Sequence, residues 1–297
     1  RMQGRLGFNH FLSIGLSNPT LQFSGTDAKA ARIKSIGLSM TDYPIEIHMF
    51  PCLSDNYGFL IHDPQEGSTA TIDTPEVGAI ESALQAKGWR LTHIINTHHH
   101  YDHAGGNIEL KNKTNCKIIG PEMDKDRIPG IDMEVEHKEE FNFGNHHVIC
   151  YHTPGHTTGH VVYYFVDQQL AFVGDTLFAM GCGRLFEGTP EQMWSSLNLM
   201  MEWPDETELY CAHEYTQSNA EFAITVEPNN KALSRRKIEV DRMRLENKPT
   251  VPTNLGIEKQ TNPFLRPDSK EIQANLNMDG ASSVEVFAEI RQRKDNF

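Results

Sequence analysis

The chain has 297 residues, 38% of them hydrophobic, enough for a sizeable core in one large domain or two modest ones. Its 27 Lys and Arg face 40 Asp and Glu, a net charge of −13, which argues against a nucleic-acid surface because phosphate binding needs an excess of local cations. The five cysteines, Cys52, Cys116, Cys150, Cys182 and Cys211, are odd in number and lack paired spacing, so a reduced intracellular protein is expected; no apolar run approaches the length of a membrane span.

Residues 1–44 are read as an N-terminal extension. Basic residues outnumber acids there, as in a transit peptide, but the reading taken is an ordered extension of a cytosolic protein, with a mitochondrial address as the alternative. From Ile45 onward, "IEIHMF", "YGFLIH" and "TATID", separated by Pro, Gly, Asp and Asn, predict consecutive strands. A helix is predicted over "EVGAIESALQAKG", stopped by Gly88. "LTHIINT" then reads as a buried strand running into "THHHYDHAGG", residues 97–106. Further strands fit "HHVICYH", "VVYYFV", "QLAFVG" and the stretch before His213, and a helix fits "PEQMWSSLNLMM", beginning at Pro190 after Thr189. Residues 216–247 read as helix interrupted by "EPNN" at 227–230, and "KPTVPTNLGIEKQTNPFLRP" as an irregular wrap. "SSVEVFAEIRQRKDNF" closes the chain as a helix with a capping box from Ser282 to Glu285. Strands first and helices last imply an α/β sandwich over 45–215 followed by a small α-helical domain over 216–297.

His98, His100, Asp102 and His103 form H-x-H-x-D-H. On extended backbone His98 and His100 point the same way and can reach one ion, while Asp102 and His103, past the turn, can reach a second; His99 has the opposite parity. Imidazole with carboxylate suits borderline metals such as zinc and iron. Partners stand at the ends of predicted strands: His156 in "HTPGHTTGH", Asp175 in "LAFVGDTLF" and His213 in "LYCAHEYT". Taken alone, Asp175 is also compatible with an ordinary turn. Together the seven make a complete dinuclear site, with His98, His100 and His156 on one ion, Asp102, His103 and His213 on the other, and Asp175 on both.

The strings "THHHYDHAGGN", "TPGHTTGH", "GDTLFAMGCGRLFEG", "HEYTQSNAEFA" with "VEPNN", and "TNPFLR", in this order and spacing, resemble the metallo-β-lactamase superfamily and, within it, glyoxalase II, hydroxyacylglutathione hydrolase. The resemblance runs from about Ile45 to the C-terminus. It implies an αββα metallo-β-lactamase sandwich with a C-terminal α-helical domain, and hydrolysis of S-D-lactoylglutathione to D-lactate and glutathione. Two divalent ions, zinc first, with iron or manganese also accepted by the ligand set, would hold a water and lower its pKa toward neutrality. Asp102 and Asp175 would act catalytically through that bridging hydroxide. The resemblance also implies thiol-side residues: Arg184, Phe186, Tyr215, Arg291 and Lys294. Arg184 stands where Lys is usual and Phe186 where Tyr is usual, which changes contact geometry more than charge. Arg291 and Lys294 share a face of the last helix and would clamp the glycine carboxylate of glutathione; with Arg293 they also suit the helix dipole.

His160 belongs to the family pattern as a support rather than a ligand. Cys182 is better suited to a tight turn than to nucleophilic attack, and the scattered histidines, among them His137, His146 and His152, receive no role. The expected partner is a small-molecule glutathione thioester bound by a monomer, with no nucleic acid and no membrane. Three alternatives stay open: the same chemistry on trypanothione thioesters, a mononuclear iron persulfide dioxygenase, which would not need the helical tail, and a binding module without turnover.

Overall fold

The computed structural model describes residues 44–297; the N-terminal extension expected over 1–44 lies, but for its last residue, outside the described residues. Two six-stranded sheets face each other. The first runs β1 (Glu46–Cys52), β2 (Asn56–Asp63), β3 (Ser68–Ile72), β4 (His93–Ile95), β5 (Lys117–Pro121), β6 (Met133–Val135), antiparallel through β3 and parallel from β3 onward. The second, in spatial order, is β14 (Thr253–Asn254), β13 (Glu208–Cys211), β10 (Leu170–Gly174), β9 (Val161–Phe165), β8 (His146–His152) and β7 (Glu140–Phe143).

The strand period of two sorts side chains between layers. In β4, Ile95 joins the inter-sheet core, while Ile94 faces outward into a smaller cluster with Leu60, Ile80, Leu84 and Leu110. That outer cluster receives α1 (Val77–Lys87), whose C-terminus is closed by Gly88 at φ 67°, a left-handed position that suits glycine. Between the sheets, Phe59 meets Phe172 and Tyr210 edge-on, at centroid distances of 5.5 and 5.7 Å.

Helix α4 (Pro190–Met201) begins as expected: Thr189 and Gln192 form a capping box, with Pro190 in the first turn. The C-terminal residues build α5 (Thr216–Val226), α6 (Lys231–Leu245), α7 (Leu255–Thr261), α8 (Lys270–Leu276) and α9 (Ser283–Asp295), the last capped by Ser282 and Glu285.

Two expectations need correction. The strand read over "LTHIINT" shrinks to His93–Ile95; beyond it Thr97 gives its N–H and its hydroxyl to the Asp73 carboxylate rather than to a neighbouring strand. The stretch read as an irregular wrap is partly regular. Thr253–Asn254 pairs with Glu208–Leu209 as a sheet edge, and the Asn254 side chain accepts from Ile257 N–H, starting α7.

Strands β8, β10 and β13 run in one direction, so the loops after them open at the same rim. The loops after β3 and β4 reach it from the other sheet. Tyr57 N–H donates to Ala212 O at 2.7 Å, tying the sheets together there.

Candidate metal centre

Side chains from four loops meet at this rim. His98 and His100 follow β4, and Asp102 and His103 lie on the single-turn helix α2 (Tyr101–Ala104), ahead of α3 (Asn107–Thr114). His156 follows β8, Asp175 follows β10 and His213 follows β13. Three sets could each surround one ion, with donor atoms within 4.8 Å: His98, His100 and His156; His98, His103 and Asp175; Asp102, His103 and His213.

The hydrogen bonds fix which nitrogen each ring offers. Thr97 Oγ1 donates to Asp73 Oδ2 at 2.8 Å, so its lone pair accepts from His98 Nδ1–H at 3.0 Å. His103 Nδ1 meets Asp73 Oδ2 at 2.8 Å, His156 Nδ1–H donates to Arg184 O at 2.9 Å, and His213 Nδ1 meets Asp55 Oδ1 at 2.8 Å. All four rings therefore turn Nε2 toward the centre. His100 instead presents Nδ1, 3.0 Å from His98 Nε2 and 3.1 Å from His156 Nε2.

Asp175 is shared between the two groups. Its Oδ2 lies 3.4 Å from His156 Nε2, and its Oδ1 lies 3.4 Å from His213 Nε2 and 3.5 Å from His103 Nε2. Asp175 Oδ1 and His103 Nε2 are both buried without a hydrogen-bond partner. Orphaned buried polar atoms are costly, and a cation between them would satisfy both.

The charges divide the site. Burial, reinforced by neighbouring imidazoles, lowers His98 well below its ordinary value and pushes His100 down to about 4. His156 is lowered too, burial outweighing the nearby Asp175. These rings are neutral donors. On the other side burial is overcome: Asp175 and Asp73 raise His103, and Asp175 raises His213. Asp175 and Asp102 sit well below the carboxylate range despite their burial, held there chiefly by His213 and His103 respectively. A carboxylate-rich half with proton-retaining rings exchanges protons for a divalent ion.

The remaining expected residues have varied places. His99 does turn away, meeting Asp124 at 3.0 Å. His160 is a support: its Nε2 accepts from Asp175 N–H at 3.1 Å, and a Cβ on Gly174, which has φ +48°, would come within 2.7 Å of it. Cys182 is buried and its thiol is pushed up to about 11, which argues against a nucleophile.

A cleft of about 650 Å³ leads from His156 and Asp175 along Phe178, Cys182, Arg184, Phe186 and Tyr215 to Arg291 and Lys294. Phe186 is 63% exposed at its mouth. Arg291 is 5% exposed and largely committed, donating to Cys182 O at 2.8 Å and pairing with Asp295 at 2.9 Å. Lys294 donates to Ser218 O at 3.1 Å and lies over the rings of Phe222 and Phe297.

Part of the cleft wall is a hairpin of β11 (Leu177–Phe178) and β12 (Gly181–Cys182), whose turn is gripped by the helical region. Asn219 donates to Ala179 O at 3.1 Å, and Asn262 donates to Phe178 O and Gly181 O at 3.1 and 2.9 Å. Buried Glu258 accepts from Met180 N–H at 2.8 Å. Sequence reasoning missed these grips, and missed Asp55, Asp73 and Asp124. Asp55 and Asp73 meet partners remote in the chain, and Asp124 meets remote His99 as well as nearby Arg127.

Comparison with known proteins gives the chain's family and fold. The family model described as metallo-beta-lactamase superfamily matches residues 64–213, and the one described as hydroxyacylglutathione hydrolase C-terminus matches 214–297. Proteins named hydroxyacylglutathione hydrolase from Maricaulis maris and Methylococcus capsulatus are 54% and 53% identical to this chain. The matches cover 84% and 85% of this chain, and 98% and 99% of theirs. The crystal structure of the BLEG-1 B3 metallo-beta-lactamase superposes with a TM-score of 0.57 at 18% identity, over 74% of this chain and 100% of that one. That of ETHE1 from Myxococcus xanthus gives 0.57 at 22%, over 85% and 100%. At such identities these two establish the fold alone.

Proposed function

Since this chain belongs to the hydroxyacylglutathione hydrolase family of the metallo-β-lactamase superfamily, we propose that it hydrolyses S-D-lactoylglutathione to D-lactate and glutathione at the rim of the sandwich. The observation that carries this reading is the continuous cleft from the shared carboxylate of Asp175 to the cationic wall at Arg291 and Lys294. His98, His100 and His156 would hold one divalent ion, Asp102, His103 and His213 the other, and Asp175 both. Zinc is the first candidate, with iron or manganese accepted by the same ligands. Two such ions supply Lewis acidity and bring a water's pKa toward neutrality.

The chain's own residues then set geometry and charge. Asp175 and Asp102 stay ionised, and Asp73 and Asp55 keep His103 and His213 oriented. A thiolate leaving group needs no strong general acid, which fits a site whose cysteine is buried and passive. Arg184, Phe186 and Tyr215 line the thiol side of the cleft. Arg291, fixed by Cys182 O and Asp295, would place one guanidinium edge beside the Lys294 ammonium for a free carboxylate of the substrate. Trypanothione thioesters carry that carboxylate as an amide and have no use for the pair. The helical region, present here as α5 to α9 and matched by its own family model, speaks against a persulfide dioxygenase. Among the described residues no helix is long and apolar enough to cross a membrane.

The test is a side-by-side rate measurement on lactoyl thioesters of glutathione and trypanothione, with metal content determined on the same sample. Hydrolysis of the glutathione thioester by protein carrying two ions per chain is expected. Full activity in metal-depleted protein, or a strong preference for trypanothione, would overturn the reading.

A further inference from the structure

Outside the metal ligands, a second cluster of charge ties the site's loops together. Arg127, 35% exposed at its side chain, follows β5 and reaches three of them at once. Its Nη1 donates to Glu187 Oε1 at 2.6 Å and lies 3.4 Å from His99 Nε2, while its Nη2 donates to Asp124 and lies 3.3 Å from Thr158 Oγ1. Asp124 is fully buried and accepts from His99 Nδ1–H at 3.0 Å, so His99 Nε2 is a lone pair facing the guanidinium. The other oxygen of Glu187 accepts from Thr158 N–H at 2.7 Å and from its hydroxyl at 2.9 Å.

These contacts brace a backbone ladder. His156 O accepts from Phe186 N–H at 3.2 Å and from Glu187 N–H at 3.3 Å, and Gly155 O accepts from Gly188 N–H at 3.1 Å. The loop that carries Phe186 is thus laid along the loop that carries His156. Phe186 meets His100 and His156 edge-on, at centroid distances of 5.6 and 5.2 Å. Its own ring is too exposed for packing to hold it. A guanidinium bound to two carboxylates is rigid enough for that task.

We propose that Arg127 and Glu187 are positioning residues that hold the 184–188 loop against the His156 loop, and so set Phe186 over the metal rim for the thiol half of the substrate. The proposal deepens the hydrolase reading and rests on it for its kinetic consequence. The brace itself can be read without turnover.

The full chain is compared with Arg127→Met, Glu187→Gln and the double variant, each also combined with Phe186→Ala. By hydrogen exchange, the amides of Thr158, Phe186, Glu187 and Gly188 are expected to open about 10-fold faster in either single variant, with the strands of both sheets unchanged. In zinc-loaded protein, KM for the glutathione thioester is expected to rise about 10-fold with kcat little altered, the double variant being no worse than either single one. Phe186→Ala should add little once the brace is cut. Should Arg127→Met fail to fold, Glu187→Gln carries both readouts. Unchanged exchange at those four amides overturns the proposal, as do additive losses in the double variant or a full Phe186→Ala effect in the unbraced background. If no protein, wild type included, hydrolyses the thioester, the hydrolase reading falls, and the exchange result still decides the brace.

Discussion

Nδ1 of His213 and Oδ1 of Asp55 stand 2.8 Å apart, although 158 positions separate them in the chain. The contact commits one ring nitrogen and leaves Nε2 for an ion, and Tyr215 stacks flat on the same ring at 4.7 Å and 3°. Asp55→Ala is therefore expected to weaken the ion held with Asp102 and His103 by about 10- to 100-fold while sparing the other. Competition with a chromophoric chelator measures this, and equal release of both ions from variant and wild type would contradict it.

Asp175 is the one carboxylate common to both halves. Asp175→Asn keeps the shape and removes the charge that His103, His156 and His213 face. Thioester hydrolysis is expected to fall by more than about 100-fold, with fewer than two ions retained. Circular dichroism should show the fold intact. A variant that keeps two ions and full rate would remove Asp175 from the mechanism.

Lys294 makes the cleft sensitive to alkali. Burial, with Arg291 nearby, pushes its ammonium down from 10.5 to about 8. The group is charged below that pH and neutral above it, so attraction for a substrate carboxylate weakens as pH rises through about 8. KM is expected to climb over that range in the wild type and to stay flat in Lys294→Arg, whose guanidinium does not titrate there. A climb of equal size in both proteins would show that Lys294 is not its source.

Glu258 is fully buried and bonds Arg236 at 2.5 Å, a guanidinium only 12% exposed. Glu258→Ala would leave that cation unpaired and Met180 N–H without its acceptor. A loss of about 3–5 kcal/mol is expected in urea unfolding. A loss under about 1 kcal/mol would mean that the pair is readily rewired.

How much of this was legible depended on distance along the chain. His98, His100, Asp102 and His103 announced themselves by adjacency, and His156, Asp175 and His213 by their place just past apolar strands. The α/β sandwich followed from apolar runs such as Val161–Phe165 preceding the helices, and its αββα form from the family resemblance. Asp55, Asp73 and Asp124 left no local trace, since a lone acid in a loop looks the same whether it orients a ligand or meets solvent. Helix α2 has only four residues, fewer than a helical pattern needs to declare itself. Helix α7 was hidden by Gly256 and Thr261, poor helix formers, and is secured instead by the Asn254 cap. The bond from Arg291 to Cys182 O left no trace either, because it depends on a hairpin lying 109 residues earlier.

The grip on the turn at Phe178–Gly181 has a consequence for biosynthesis. All seven candidate ligands are clear of the ribosome once His213 has emerged from it, whereas Asn219, Glu258 and Asn262 emerge afterwards. A nascent chain thus owns its full ligand set before the wall beside it can be locked, so ion capture can precede maturation of the thiol cleft.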